Sequence, residues 1–413
     1  MPKQPTTKPQ NERFISIMLI ILIMIIPRPK ELERINSINK WILIYGRRKT
    51  GKTYLVKNFV KYDEYFFIKT NKSILTKDNE PISYETFIEL LKRGIEEKRT
   101  IVIDEFHRLE QGFFDILHNS KKLITDKSPL LGLFAEISMP LISLEESLNS
   151  LKKLSLSKKE RMELAVILRE PISIDYFNER LDAKKIMFNI LSSTLKTIPA
   201  LTGEIFSEEQ REISSIYEGI LRAIASGKIG TGEISSYLFS KKSLKKDDPS
   251  IIQQYLNNLI SFGLIKKLPI LNKNKFAYKI VSPLSRIFYY ADEKYNISER
   301  NFSEEELNRI IEELMPRIIE DNIREFFSER LGLLDNIFEN KDFDVDGYLT
   351  KFKKPEVIIE TKWGNINNID IKAIEAKMEK LDAKRKILFV QDKANLKSNL
   401  EIFDVDNLSN LKN

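Results

Sequence analysis

The chain has 413 residues, 31% of them charged and 42% hydrophobic, so it is globular rather than disordered and long enough for two or three domains. Its net charge of +7 is spread too thinly to imply a nucleic-acid partner; only local clustering would do that. Cysteine is absent and histidine occurs only as His107 and His118, which excludes disulfides, thiolate zinc sites and histidine-rich metal centres.

Residues 1–29 read as an N-terminal extension. A polar start is followed by the uncharged run Phe14 to Ile26, FISIMLIILIMII. A membrane-spanning helix needs about 20 apolar residues, so this run is short. No small-residue cleavage site follows it, which argues against a signal peptide. It is a buried first element, a membrane-surface anchor, or an extension from an upstream start, with Met18 and Met24 as alternative starts. Lys30 to Ile35 reads as a short helix leading into the apolar strand Ile42-Leu43-Ile44-Tyr45.

That strand runs into Gly46-Arg47-Arg48-Lys49-Thr50-Gly51-Lys52-Thr53, the G-x-x-x-x-G-K-[ST] pattern of a P-loop. Leu55, Val56 and Phe59 then recur at helical spacing. Glycines at 46 and 51 permit the tight bend around a phosphate, and the loop's N–H groups and the helix start face the anion. Lys52 is the expected contact to the β- and γ-phosphates of ATP, and Thr53 the expected Mg²⁺ ligand. Glu64 to Ile68 predicts a second strand and Pro81 to Glu96 an amphipathic helix. Thr100-Ile101-Val102-Ile103-Asp104-Glu105 is an apolar strand ending in two acids, the Walker B pattern. Asp104 is expected to hold Mg²⁺ directly or through water, and Glu105 to orient the attacking water. His107 reads more readily as structural than catalytic.

GRRKTGKTYLVKNF, KYDEYFF, RTIVIDEFHRL and SPLLGLFAEI together resemble the archaeal AAA-type ATPases of the STAND-related group. The resemblance spans about residues 30 to 400. It implies an α/β P-loop parallel-sheet core at 30–140, a helical lid at 141–206, a winged helix at 207–290 and a nuclease-like α/β domain at 291–413. The family's core sheet has a further strand after Walker B that ends in a polar γ-phosphate sensor. Here only Lys122-Leu123-Ile124-Thr125 could stand for it, with Thr125 as the sensor. The expected sheet is therefore short and the expected hydrolysis slow or absent. By the same resemblance, Ser128 to Glu136 is a loop re-entering the ATPase. Ser143 to Phe177 reads as helices, in which Arg169 is either a lid contact to phosphate or an arginine paired with an acid. Pro199 and Gly203 predict a bend.

Tyr217 to Ser226, a segment from Thr231, and Asp248 to Asn258 read as three helices, the last with an acid cap and Pro249 in its first turn. Two strands, 264–268 and 276–281, flank the turn Asn272 to Lys275. Three helices and a β-wing make a winged helix-turn-helix. Ser250, Gln253, Gln254, Asn257 and Asn258 suit DNA, as do Lys241, Lys242, Lys245 and Lys246 before the helix and Lys273 and Lys275 in the wing. A protein-interaction module with a solvated lysine face fits the same residues.

A charged linker and helix fill 290–315, and Pro316 to Leu331 is an amphipathic helix. An acidic strand, Asp342 to Leu349, precedes Pro355 to Trp363, with a helix at Ile371 to Leu381 and a strand at Lys386 to Val390. This order with D…E-x-K looks like the PD-(D/E)xK nuclease fold. Asp344 and Glu360 are the expected Mg²⁺ ligands and Lys362 the phosphate- or water-activating cation. Asp346, on the same strand face as Asp344, competes with it, and Glu320 completes the set. The expected protein is cytoplasmic, without stable membrane association. It binds ATP and Mg²⁺ and couples nucleotide binding or hydrolysis to DNA binding or processing. The alternative is a nucleotide-dependent signalling or scaffold switch whose C-terminal domain is catalytically silent.

Overall fold

A computed structural model describes residues 25–109, Phe113, 134–206, 211–339 and 344–409. Nearly all of the apolar run at 14–26, Lys122 to Thr125 with the expected sensor, and the first residues of SPLLGLFAEI lie outside them. The chain divides into two compact units, one formed by Pro27–Leu141 and the other by Ile142 onward together with the residues up to Ile26. Among the described residues no helix is long and apolar enough to cross a membrane.

In the Pro27–Leu141 unit, α1 (Pro29–Ser37) leads to β1 (Trp41–Tyr45), the P-loop and α2 (Lys52–Phe59). Then come β2 (Glu64–Ile68), β3 (Ile74–Leu75), β4 (Pro81–Ile82), α3 (Tyr84–Glu96), β5 (Ile101–Asp104) and β6 (Phe134–Ser138). The strands form two sheets of order β4-β3-β2-β5 and β1-β6, with β2/β5 and β1/β6 parallel. Phe66, Ile68, Ile74, Phe87 and Leu91 are the core of the larger sheet, and Leu55, Ile137 and Met139 of the smaller. Two expectations change. The α3 helix starts at Tyr84, because the Ser83 side chain caps it by accepting from the Thr86 N–H while Pro81-Ile82 pairs as strand. Phe134 to Glu136, expected within a re-entrant loop, belong to β6, which is in register with all of β1 and whose fully buried Ile137 fills the core.

The second unit opens with α4 (Leu144–Ser150), α5 (Lys158–Leu168), α6 (Pro171–Ile174), α7 (Ala183–Phe206) and α8 (Arg211–Ala225). Capping boxes at Ser143/Glu146 and Ser157/Glu160 start α4 and α5. Pro199 and Gly203, where a bend is expected, do not interrupt the helix: α7 runs through both, with Thr202 donating its hydroxyl to the Ile198 carbonyl one turn back. Next are α9 (Thr231–Ser240), α10 (Gln253–Ser261), the antiparallel hairpin β7 (Ile265–Pro269) and β8 (Phe276–Ile280), and α11 (Pro283–Tyr295). Asp248 does not cap α10; its carboxylate closes its own turn on the Ser250 N–H at 2.9 Å, and α10 begins later. A single 28-residue helix, α12 (Glu304–Leu331), replaces the expected linker and helix. Pro316 sits inside it, and buried Leu314, Met315, Ile318 and Ile319 on both sides hold the helix together despite the missing donor.

Strands β9 (Leu334–Asn336), β10 (Gly347–Lys351), β11 (Lys354–Lys362), β12 (Arg385–Val390) and β13 (Glu401–Phe403) make one sheet of order β13-β12-β11-β10-β9, with α13 (Asn368–Glu379) between β11 and β12 and α14 (Val405–Leu408) at the end. The β10/β11 pair is antiparallel and β11/β12/β13 parallel. Residues alternate along β11: Val357 and Ile359 join the core that contains α12, and Ile358 joins the one that contains α13. The β7–β8 turn is tied to the segment after β9 by Leu271 N–H to Ile337 O and Ile337 N–H to Pro269 O, both 2.9 Å.

Charge fastens α12 to its neighbours. Asp321, only 15% exposed, pairs with Lys279, Arg286 and Arg324, and Glu325 with Arg169 and Lys266. Burial pushes the Asp321 carboxyl up, but the three cations outweigh it and hold it well below the usual carboxylate range. Asp321→Asn would leave buried cations uncompensated; a loss of about 3 kcal/mol in urea unfolding is expected, and a change under about 0.5 kcal/mol would contradict it.

Candidate functional site

The P-loop follows directly from β1. Gly46 has φ +145°, and a Cβ there would lie 2.6 Å from the Met139 carbonyl oxygen, so the loop turns against the end of β6 where only glycine fits. Gly51 at φ +84° caps α2 in the left-handed region. Thr50 is buried and donates its hydroxyl to the Arg47 carbonyl at 2.9 Å. Lys52 donates to the Gly46 and Arg47 carbonyls, both at 2.8 Å, which poises its ammonium across the mouth of the loop. Burial draws the Lys52 pKa down, opposed by Glu105 and Asp104.

Asp104, the last residue of β5, meets the loop. Its Oδ2 accepts from the Thr53 hydroxyl at 2.8 Å and from the Tyr65 hydroxyl at 2.7 Å. Burial and this bond push the Tyr65 phenol far above its ordinary pKa, so it stays a donor. The pairing of a hydroxyl after the P-loop lysine with an acid at a strand's carboxyl end is the donor set Mg²⁺ requires: oxygen ligands of low charge beside a phosphate cradle. Glu105 adopts φ +60°, strained for a non-glycine, and its carboxylate lies 3.5 Å from His107 Nδ1 and 3.4 Å from Arg108. Arg108 also donates to the Ile68 carbonyl at 2.8 Å, fixing this corner to β2. His107 is therefore a surface partner of Glu105.

Arg28, which sequence reasoning passed over, is buried and donates to the Pro140 carbonyl at 2.9 Å and the Thr50 carbonyl at 3.1 Å. Both places where the chain passes between the two units, beside Ile26 and beside Leu141, are thereby tethered to the P-loop. An arginine preceding a proline-started helix was the only sequence signal.

Residues 38–153 match the family model described as an AAA domain. This segment is a P-loop AAA-type ATPase domain. The chain is also similar to an uncharacterized protein of Methanocaldococcus jannaschii, 25% identical over 408 residues, covering 85% of this chain and 90% of that protein. A Walker-type ATPase of Pyrococcus abyssi is similar at 20% identity and a TM-score of 0.47, covering 64% of this chain and 96% of that one. The Orc1 protein of Aeropyrum pernix, solved in complex with DNA, is similar at 14% identity and a TM-score of 0.30, covering 67% and 96%. Likenesses of that depth assign neither fold nor activity here.

The other predicted residues lie in the second unit. Arg169 is buried; it donates to the Ile142 carbonyl at 3.0 Å and pairs with Asn322 and Glu325, so it is committed to the core rather than free for phosphate. Lys241 pairs with Glu293 at 2.7 Å and Lys273 with Glu339 at 2.6 Å. Asn258 donates to the Tyr217 hydroxyl at 2.6 Å and is structural, whereas Asn257 and Gln254 are exposed on α10.

Near the end of β11, the Glu360 carboxylate is buried and bracketed by two ammonium groups, Lys362 at 2.8 Å and Lys377 from α13 at 2.9 Å. Asp346 accepts from the Thr361 N–H at 2.7 Å, and its pKa rises to about 6 through burial and the charge of Glu360. Glu320 rises to about 7 through burial, Asp346 and Asp321. Asp344 is 90% exposed and 3.7 Å from Lys377. The acid tied to the end of β11 beside Glu360 is therefore the half-buried Asp346, whereas Asp344, two residues before it, stands out in solvent. Among the described residues no three acids or histidines converge into a preformed metal cage. Lys377 was also missed, because only the packing of α13 on β11 brings it there.

The raised pair predicts a pH dependence. Between the ordinary carboxylate range near 4 and about 7, the folded protein binds more protons than the unfolded chain, so stability falls as pH rises through that window. Without divalent cation the melting temperature should drop from pH 5 to pH 7.5, and Glu320→Gln with Asp346→Asn should flatten that slope. An unchanged slope in the double variant would refute the assignment.

Proposed function

We propose that this protein is an ATP- and Mg²⁺-dependent switch that couples nucleotide binding or hydrolysis to DNA binding or processing. The observation that carries the nucleotide half is the Thr53–Asp104 hydrogen bond, which puts the P-loop hydroxyl and the β5 acid at one point. Gly46 to Thr53 would cradle the phosphates through N–H groups, Lys52 would contact the β- and γ-phosphates, and Thr53 and Asp104 are the residues that would hold Mg²⁺, which would supply charge neutralisation to the phosphoryl group. Glu105 orients the attacking water. Arg28 passes a change in loop shape to the chain segments entering and leaving the domain, through its two carbonyl contacts.

Beyond the ATPase core we read 141–206 as a helical lid, 207–290 as a winged helix and 291–413 as a PD-(D/E)xK-like domain. Support comes from the α8–α9–α10 helices with the β7–β8 hairpin, and from Asp346, Glu360 and Lys362 meeting at the β10/β11 ends. Asp346 and Glu360 are the residues that would hold a divalent cation. A second reading, a nucleotide-gated scaffold with a silent C-terminal domain, is favoured by one observation: two lysines already neutralise Glu360.

ATP turnover with and without single-stranded and duplex DNA tests the first reading. Lys52→Ala should lower turnover about 100-fold, the cost of removing one transition-state charge contact. DNA should raise the wild-type rate, and tight ATP binding with no turnover under any condition would leave only the scaffold reading. Arg28→Ala should weaken ATP binding in a fluorescent-nucleotide titration, and an unchanged Kd would remove the tether from the scheme.

A further inference from the structure

The turn between β10 and β11 combines three unfavourable features. Phe352 and Lys353 both lie in the left-handed region, with φ +51° and +65°, where two-residue hairpin turns ordinarily carry Asn-Gly. A side chain with a Cβ is costly there because it crowds the backbone carbonyl. Phe352 is also 90% exposed. Lys351 and Lys354 are partners directly across the ladder, so like charges sit side by side. Lys353 adds a third charge, and among the described residues none of the three lysines pairs with an acid. Strain, repulsion and an exposed aromatic ring at one tip are expected where a ligand relieves them.

We propose that this tip is a contact for nucleic acid with unpaired bases. Phe352 stacks on a base, and Lys351, Lys353 and Lys354 meet the flanking phosphates. A single strand or frayed end fits, since an intact duplex keeps its base faces stacked. An anionic membrane would also attract the lysines, but a lone phenylalanine supplies too little apolar area for stable anchoring. The proposal rests on the DNA half of the function proposed above and names the surface and strand form that half requires.

The test uses the full chain with three probes: a fluorescein-labelled oligothymidine, a blunt duplex, and phosphatidylserine vesicles. Phe352→Ala should weaken oligothymidine binding about 10-fold, as the loss of one base stack implies, and leave duplex binding unchanged. Replacing the three lysines by glutamine should lower the salt slope on the single strand by about 2. Phe352→Asn with Lys353→Gly should lose the same affinity while raising the melting temperature, because the strain goes with the side chains. A merely structural turn would gain the stability and lose no affinity. Wild-type binding that Phe352→Ala leaves intact overturns the tip proposal while the DNA reading stands. No wild-type binding to either DNA overturns both, and vesicle binding lost in Phe352→Ala would assign the tip to membranes instead.

Discussion

Two carboxylates one turn apart on α12 organise the larger unit. Asp321 and Glu325 gather Lys279 from β8, Arg286 from α11, Arg324 from α12 itself, Lys266 from β7 and Arg169 from the end of α5. A charge in a water-poor interior is tolerated only when it is paired, so each of these elements is held in one position by the others. The cost of removing one partner exceeds the worth of any single pair. Specific geometry, more than net stability, is what such a network supplies. Continuous apolar packing from α4 through the hairpin to the five-stranded sheet agrees with it.

In the smaller unit the corresponding constraint is steric. The Gly46 backbone passes so close to the Met139 carbonyl that no side chain is admissible, and Met139 N–H bonds the Tyr45 carbonyl at 2.7 Å. The phosphate loop therefore leans on β6 as well as on its own strand. Arg28 adds a second brace through Thr50 and Pro140. One side chain thus joins the loop to the last residues of the domain.

The second candidate site is balanced differently. Glu360 has cationic neighbours on two sides, whereas Asp346 and Glu320 have their pKa values raised, Asp346 by burial and the charge of Glu360 and Glu320 by burial and the charge of Asp346. A divalent cation would satisfy the acids and displace the lysines; without one, the lysines serve as counter-ions. The same residues support a catalytic or a silent domain, and the choice turns on whether a metal competes with Lys362 and Lys377.

The nucleotide loop was fully legible in the sequence, because its chemistry is local: glycines, a lysine and a hydroxyl at set spacing after an apolar strand. The β5 acids were legible for the same reason, and most helices and strands followed from periodicity. Tertiary structure decided what depends on residues distant in the chain. It decided that Pro199 and Pro316 do not break their helices, since buried side chains on both sides outweigh a missing donor. It moved Phe134 to Glu136 from loop to strand, since β6 pairs with β1 along its whole length. It turned Arg169 inward to Glu325 and drew Asp346 onto the Thr361 N–H beside Glu360, leaving Asp344 exposed. The sequence suggests a strand that puts residues 344 and 346 on one face, but β10 starts only at Gly347, and packing leaves Asp346 half-buried on the Thr361 N–H and Asp344 exposed.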